Sequence, residues 1–166
     1  MASNARSTGR VADEAWLVVA WLHRHNPEAI DFSLEEIIEA AKRLRINGNV
    51  RRGVEQHIAQ HCVANLPPNN VMHRMLFEPA RGRRRLYRIG DAAHPDRLNG
   101  RVTPSRENLP SGYEDMLEWY ENWIKEKVSV QAEEEDPLLA LRGSGRELWA
   151  DEHADDYVRR LREGWS

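Results

Sequence analysis

Apolar positions in the first half of the chain fall into helical runs separated by turn signals. Val11 to Arg24 is apolar almost all round, with Trp16, Leu17, Val18, Val19, Trp21 and Leu22, which predicts a central, largely buried helix. It must stop near Asn26-Pro27, because proline disfavours helical geometry at the residue before it. Ser33 with Glu36 three residues on is a capping box, and Leu34, Ile37, Ile38, Ala41 and Leu44 share one face, predicting a second helix over Leu34–Arg45. Asn47-Gly48-Asn49 signals a turn, after which Val50, Val54, Ile58 and Cys62 restart the helical period to about Asn65.

Past Pro67-Pro68-Asn69-Asn70 the pattern changes. Two short runs, Val71–Glu78 and Arg83–Ile89, flank Pro79-Ala80-Arg81-Gly82 and predict a β-hairpin. Residues 10–93 thus form a first domain of three helices and a hairpin, preceded by a small, polar arm over residues 1–9 that is expected to be disordered. Residues 94–110, with three prolines and little apolar content, are predicted to be a linker over the surface. Ser111 with Glu114 offers a second capping box, and Tyr113, Met116, Leu117, Tyr120, Trp123, Ile124 and Val128 form an aromatic stripe. A fourth, amphipathic helix is therefore expected within 111–129, packed on its own head or forming a homodimer seam. Residues 130–135 are expected to be a self-repelling, extended acidic spacer, and 136–166 a separate tail. The fold class is α+β, mostly α.

Composition sharpens this division. The 166-residue chain has a formal net charge of -3, but residues 1–100 hold 15 Lys+Arg against 11 Asp+Glu, whereas residues 101–166 hold 9 against 16. A basic head suits a polyanion that an acidic tail would repel, so the two ends call for different partners. The single cysteine, Cys62, has no partner for an internal disulfide, which fits a reducing compartment, and a cytoplasmic location is expected. The longest apolar stretch, Ala15 to Leu22, is too short to span a bilayer, and the N-terminus lacks a signal-peptide pattern.

The third helix is the element suited to a major groove. With Val50, Val54 and Ile58 inward, a helical wheel turns Arg52, Gln56, Ala59 and Gln60 outward, with Arg51 and Glu55 on the flanks. Arg51, Arg52, Gln56 and Gln60 are thus candidate base or backbone contacts. The hairpin tip adds Arg81, Arg83, Arg84 and Arg85, a basic wing able to follow phosphates or enter the minor groove. Glu35, Glu36 and Glu39 count against a close approach of the second helix to DNA. His57 and His61 stand at i, i+4 on the inner face, as a metal pair or as two core histidines; no third ligand accompanies them, and neither metal nor cofactor is assigned. The chain carries no nucleophile-base pair and no glycine-rich phosphate loop, so no enzyme activity is expected.

Three helices followed by a hairpin, and in particular QHIAQHCVANL paired with the later RGRRRLYRIG, resemble the winged helix-turn-helix domains attached to prokaryotic defence and restriction proteins. The C-terminal run DPLLALRGSGRELWADEHADDYVRRLREGW resembles the toxin-binding tail of VapB-type antitoxins, which neutralise PIN-domain ribonuclease toxins. In this chain it comprises an apolar plug (Leu138, Leu139, Leu141), a flexible hinge between Arg142 and Arg146, the anchors Leu148 and Trp149, and a last helix with Tyr157, Val158 and Leu161 on one face. The resemblance implies that these residues clasp a PIN-domain ribonuclease and that Arg142 or Arg146 reaches its carboxylate cluster. The expected protein is a non-enzymatic antitoxin and autorepressor, binding operator DNA through its head, alone as a homodimer or as a hetero-oligomer with toxin. The alternative is a DNA-binding or adaptor subunit of a restriction or defence system whose tail docks a different enzyme.

Overall fold

The computed structural model describes residues 10–135. Contact density divides the chain after Ile124, so residues 10–124 form one packed unit, and only the helical residues 125–135 are described from the second. The arm over 1–9 and the tail over 136–166 lie outside the described residues.

Helix α1, Val11–His25, is the axis of the fold, with Ala12, Ala15, Trp16, Leu17, Val18, Val19, Ala20 and Leu22 all buried. Other elements cover it on nearly every side, as its apolar circumference requires. It ends at Asn26, whose backbone N–H donates to the Leu22 carbonyl at 2.9 Å just before Pro27. Two acids in its first turn are also buried. Asp13 accepts from Arg101 at 2.7 Å, and Glu14 accepts from Arg51 at 2.8 Å and from Asn47 at 2.9 Å.

Strand β1, Phe32–Ser33, leads directly into α2, Leu34–Leu44. The capping box forms as expected: the Glu36 N–H donates to Ser33 Oγ at 3.2 Å, and the Ser33 N–H donates to the Glu36 carboxylate at 2.7 Å. These bonds to Ser33 hold the Glu36 carboxyl below its usual pKa. Ile37, Ala40 and Ala41 are buried, while Leu34, Ile38 and Leu44 are half-buried.

The third helix is shorter than its apolar period suggests. Gly53 has φ 94°, a left-handed conformation that glycine adopts readily and that stops a helix from starting at Val50. Helix α3, Val54–Gln56, then widens into a π turn over His57–His61, with the Cys62 N–H donating to the His57 carbonyl at 3.1 Å. The hairpin is present with shorter strands than the pattern predicts: β2 is Leu76–Phe77 and β3 is Arg83–Leu86. Strand β3 is central in an antiparallel sheet of order β1-β3-β2, with Phe32 opposite Arg84 and Leu76 opposite Leu86. The two-residue β1 is too short to leave a periodic signal, so the sequence reading has no strand there.

The 94–110 segment is a strap built into the unit, correcting the expected linker. Two short 3-10 turns, Pro95–Arg97 and Arg106–Asn108, carry it, and Arg97 and Leu109 are buried. Its low apolar content misleads because it is anchored by a charged side chain. Arg97 is fully buried and donates to the carbonyls of Gln60, His61, Leu66, Pro67, Val71 and His73. Gly100 passes so close that an added Cβ would lie 1.7 Å from the Met72 carbonyl oxygen.

Helix α4, Met116–Glu135, begins within the expected 111–129 span and runs beyond its end. Glu114 takes the Gly112 N–H at 2.7 Å within a turn, and the Trp119 N–H donates to the Asp115 carbonyl, so the expected Ser111 cap is not formed. Met116, Tyr120 and Trp123 are buried, with Tyr120 edge-on to Trp16 at 5.3 Å and Trp123 5.0 Å from the His23 ring. Met116, Tyr120 and Trp123 of this stripe therefore complete the head's own core. The helix runs on through Glu135, where an extended spacer was expected. Glutamates one or two residues apart do not face each other on a helix, and glutamate, glutamine and alanine are strong helix formers.

Candidate nucleic-acid interface

The fate of the arginines decides the shape of this surface. In β3, Arg84 is buried; its guanidinium donates to the carbonyls of Ile58 at 3.1 Å and Ala59 at 2.6 Å and pairs with Glu78. Arg85 is buried too, held by both oxygens of Asp91 at 2.6 and 2.7 Å and stacked over Phe77 at 4.4 Å. Arg83 donates through Nε to Asp31 Oδ1 at 2.6 Å and stands 3.9 Å from Glu36. Arg88 is buried with its guanidinium over the Trp123 ring at 5.1 Å, and that burial pulls its pKa down. Arg81, at the tip, is the exposed member of the set. Arg84 and Arg85 of the expected basic wing are thus spent on an internal ion-pair frame, whereas Arg83 is paired with Asp31 but keeps a partly exposed side chain. Asp31 reaches Arg83 from 52 positions away, while Glu78 and Asp91 pair with Arg84 and Arg85 from six positions to either side within and just after the hairpin.

The α3 surface fares better. Gln56 and Gln60 are exposed, as the wheel predicts, with Val54 and Ile58 buried, and Arg52 is exposed from the turn that precedes α3. Arg51 donates through Nε to the buried Glu14 carboxylate on α1, which ties the turn before α3 to the core, and its partly exposed side chain also lines this surface. A concave surface of about 520 Å3 brings Arg51, Arg52, Gly53, Glu55 and Gln56 together with Lys42 from the last turn of α2. Lys42, and with it the exposed Arg43 and Arg45, were missed by sequence reasoning. Their signal was available in the run Lys42-Arg43-Leu44-Arg45, but the acids in the first turn of the same helix drew the weight. Arg45 also has φ 45°, and its carbonyl accepts from the Gly48 N–H at 2.7 Å, turning the chain sharply after α2.

The rings of His57 and His61 lie 4.9 Å apart at 72°. His57 Nδ1 is 2.9 Å from the Gly53 carbonyl, and burial, then the nearby His57 and Arg97, lower the pKa of His61. His73 is pulled down to about 4 by burial first and then by Arg101, His57, Arg10 and Arg97. Among the described residues no group of three metal-ligating side chains is assembled. Cys62 is fully buried, and its thiol is pushed up to about 12 by that burial.

A second hollow of about 470 Å3 lies between the end of the hairpin, the strap and α4, with largely apolar walls that include Tyr87, Ile89, Val102, Leu117 and Ile124. The tail residues Leu138, Leu139, Leu141, Arg142, Arg146, Leu148, Trp149, Tyr157, Val158 and Leu161 lie outside the described residues. Among the described residues, no helix is long and apolar enough to cross a membrane. Comparison with known proteins finds no matching family model, curated protein or solved structure.

Proposed function

We propose that residues 10–124 are a winged-helix DNA-binding module and that the chain is the antitoxin of a toxin-antitoxin pair, its tail occupying a PIN-domain ribonuclease. The order helix, strand, two helices and hairpin, with the short strand added to the hairpin, supports the winged-helix reading. The observation that carries DNA binding is the exposed surface shared by Lys42 of α2, Arg52 of the turn before α3 and Gln56 of α3. Arginine and glutamine at the start of a groove-reading helix match guanine and adenine edges, and Lys42, Arg43 and Arg45 supply phosphate contacts. Arg51, anchored on Glu14, lines the same surface and adds to its positive charge. The ribonuclease reading rests on the tail sequence alone, with Leu148 and Trp149 as its anchors.

The test is fluorescence anisotropy of the full chain on duplex DNA taken from upstream of its own reading frame, across a salt series. K42A and R52A together should weaken binding, with loss of the Lys42 phosphate contact flattening the salt dependence by a slope of about 1 and loss of Arg52 relaxing sequence preference. R81A alone should change the slope by at most about 1. Unaltered binding by the K42A/R52A double variant would overturn the DNA surface. For the tail, W149A should release ribonuclease activity in co-expression while leaving DNA affinity unchanged; full inhibition by W149A and by a chain ending at Glu135 would remove the antitoxin reading.

A further inference from the structure

The hollow beside α4 is separate from the proposed DNA surface, and its chemistry points elsewhere. Its volume, about 470 Å3, lies in the range of small-molecule sites, roughly 300–1,000 Å3. Tyr87 and Ile89 close one side, Val102 the second, and Leu117, Tyr120 and Ile124 of α4 the third. Ile89, 74% exposed, adds an aliphatic side chain to the rim of the hollow.

One cation lines this hollow. Arg74 donates through Nε to the Gly100 carbonyl at 3.1 Å, and its guanidinium lies over the Tyr87 ring at 5.6 Å. Its Nη1 is 3.5 Å from the Tyr87 hydroxyl. Arg83, Arg84, Arg85 and Arg101 are each matched to a carboxylate, whereas Arg74 makes no ion pair among the described residues. A guanidinium steadied by a carbonyl and a ring, set in apolar walls, lacks the counter-charge its surroundings favour. The acid that does line the hollow, Glu121, is exposed.

We propose that this hollow binds a small amphipathic carboxylate, an aromatic or medium-chain aliphatic acid, with its carboxylate on Arg74 and its apolar body against Tyr87, Val102, Leu117 and Ile124. Arg74 supplies a charged, partly pre-oriented donor, and the apolar body covers Ile89 from water. Glu121 excludes a second anionic group, so the ligand is a monoacid. The site is built wholly from residues 10–124 and does not depend on the DNA or toxin readings.

The probe is 8-anilinonaphthalene-1-sulfonate, an apolar anion whose fluorescence rises on burial, titrated into the full chain and displaced by decanoate or by decanol. Near-UV circular dichroism is recorded alongside, because loosely packed states also bind this dye. Decanoate should displace it about tenfold more effectively than decanol, the effect of one charge-assisted contact. R74Q should remove that preference while leaving decanol unchanged, and E121Q should tighten decanoate by about two- to threefold through lost like-charge repulsion. L117W should block both competitors by filling the hollow, and V102W replaces it if the first variant loses its near-UV signal. Equal competition by acid and alcohol, insensitivity to R74Q, or undiminished binding in the filled variants would each overturn the proposal, as would a folded chain that binds neither dye nor decanoate.

Discussion

Replacing Arg97 tests the claim that a buried guanidinium stitches the strap to the rest of the unit. The side chain is fully buried, and its five N–H groups serve six backbone carbonyls. Three contacts are short: His73 at 2.6 Å and Leu66 and His61 at 2.8 Å. R97M keeps an unbranched apolar side chain but removes every donor. Summing a desolvation penalty of roughly 1–3 kcal/mol over all six carbonyls would exceed the total stability of many domains, about 5–15 kcal/mol, so water must re-enter and satisfy part of the set. The expected loss is therefore that of breaking one buried charged network, about 3–5 kcal/mol. R97K keeps the charge and three donors and should lose about half as much. Urea unfolding, followed by fluorescence with Trp16 and Trp123 in the core as reporters, reads this directly. With a slope of about 2 kcal/mol per molar, the R97M midpoint falls by about 1.5–2.5 M. A fall of less than about 0.5 M, or an R97K midpoint below that of R97M, would refute the role assigned to the guanidinium.

Two further outcomes follow from the same region. G100A places a Cβ 1.7 Å from the Met72 carbonyl oxygen and 2.9 Å from that of Arg97, both backbone atoms, so the strap must move; a loss of at least about 2 kcal/mol, or roughly 8 °C in Tm by calorimetry, is expected. Acid should destabilise the chain through histidine. The folded state holds His73 at about 4 and His61 below its usual value, so the unfolded chain takes up their protons first as pH falls. The contribution from neutral His73 is complete above its ordinary value near 6.5 and disappears between there and about 4. H73Q should flatten that part of the stability profile in chemical denaturation at stepped pH, and an unchanged profile would exclude His73 as its source.

The amino-acid sequence by itself determined the features that depend on neighbours along the chain. The Ser33–Glu36 cap, the stop at Asn26-Pro27, the buried character of α1, the hairpin turn at Gly82 and the outward pair Gln56 and Gln60 all rest on contacts or periodicities spanning a few residues. Tertiary structure alone decided which charges remain for function. The run Arg83-Arg84-Arg85 reads as a basic patch, yet the hairpin's twist and closure set Glu78 and Asp91 against Arg84 and Arg85, and Asp31 reaches Arg83 from 52 positions away. Glu14 likewise takes Arg51 across 37 positions. The proline-rich strap reads as a linker because its anchor, Arg97, is polar and its acceptors are backbone carbonyls, which are the same in every sequence. Local pattern registers which side chains are charged. Only the folded chain sets the distance between opposite charges, and that distance decides whether an arginine meets a partner from outside or is satisfied within.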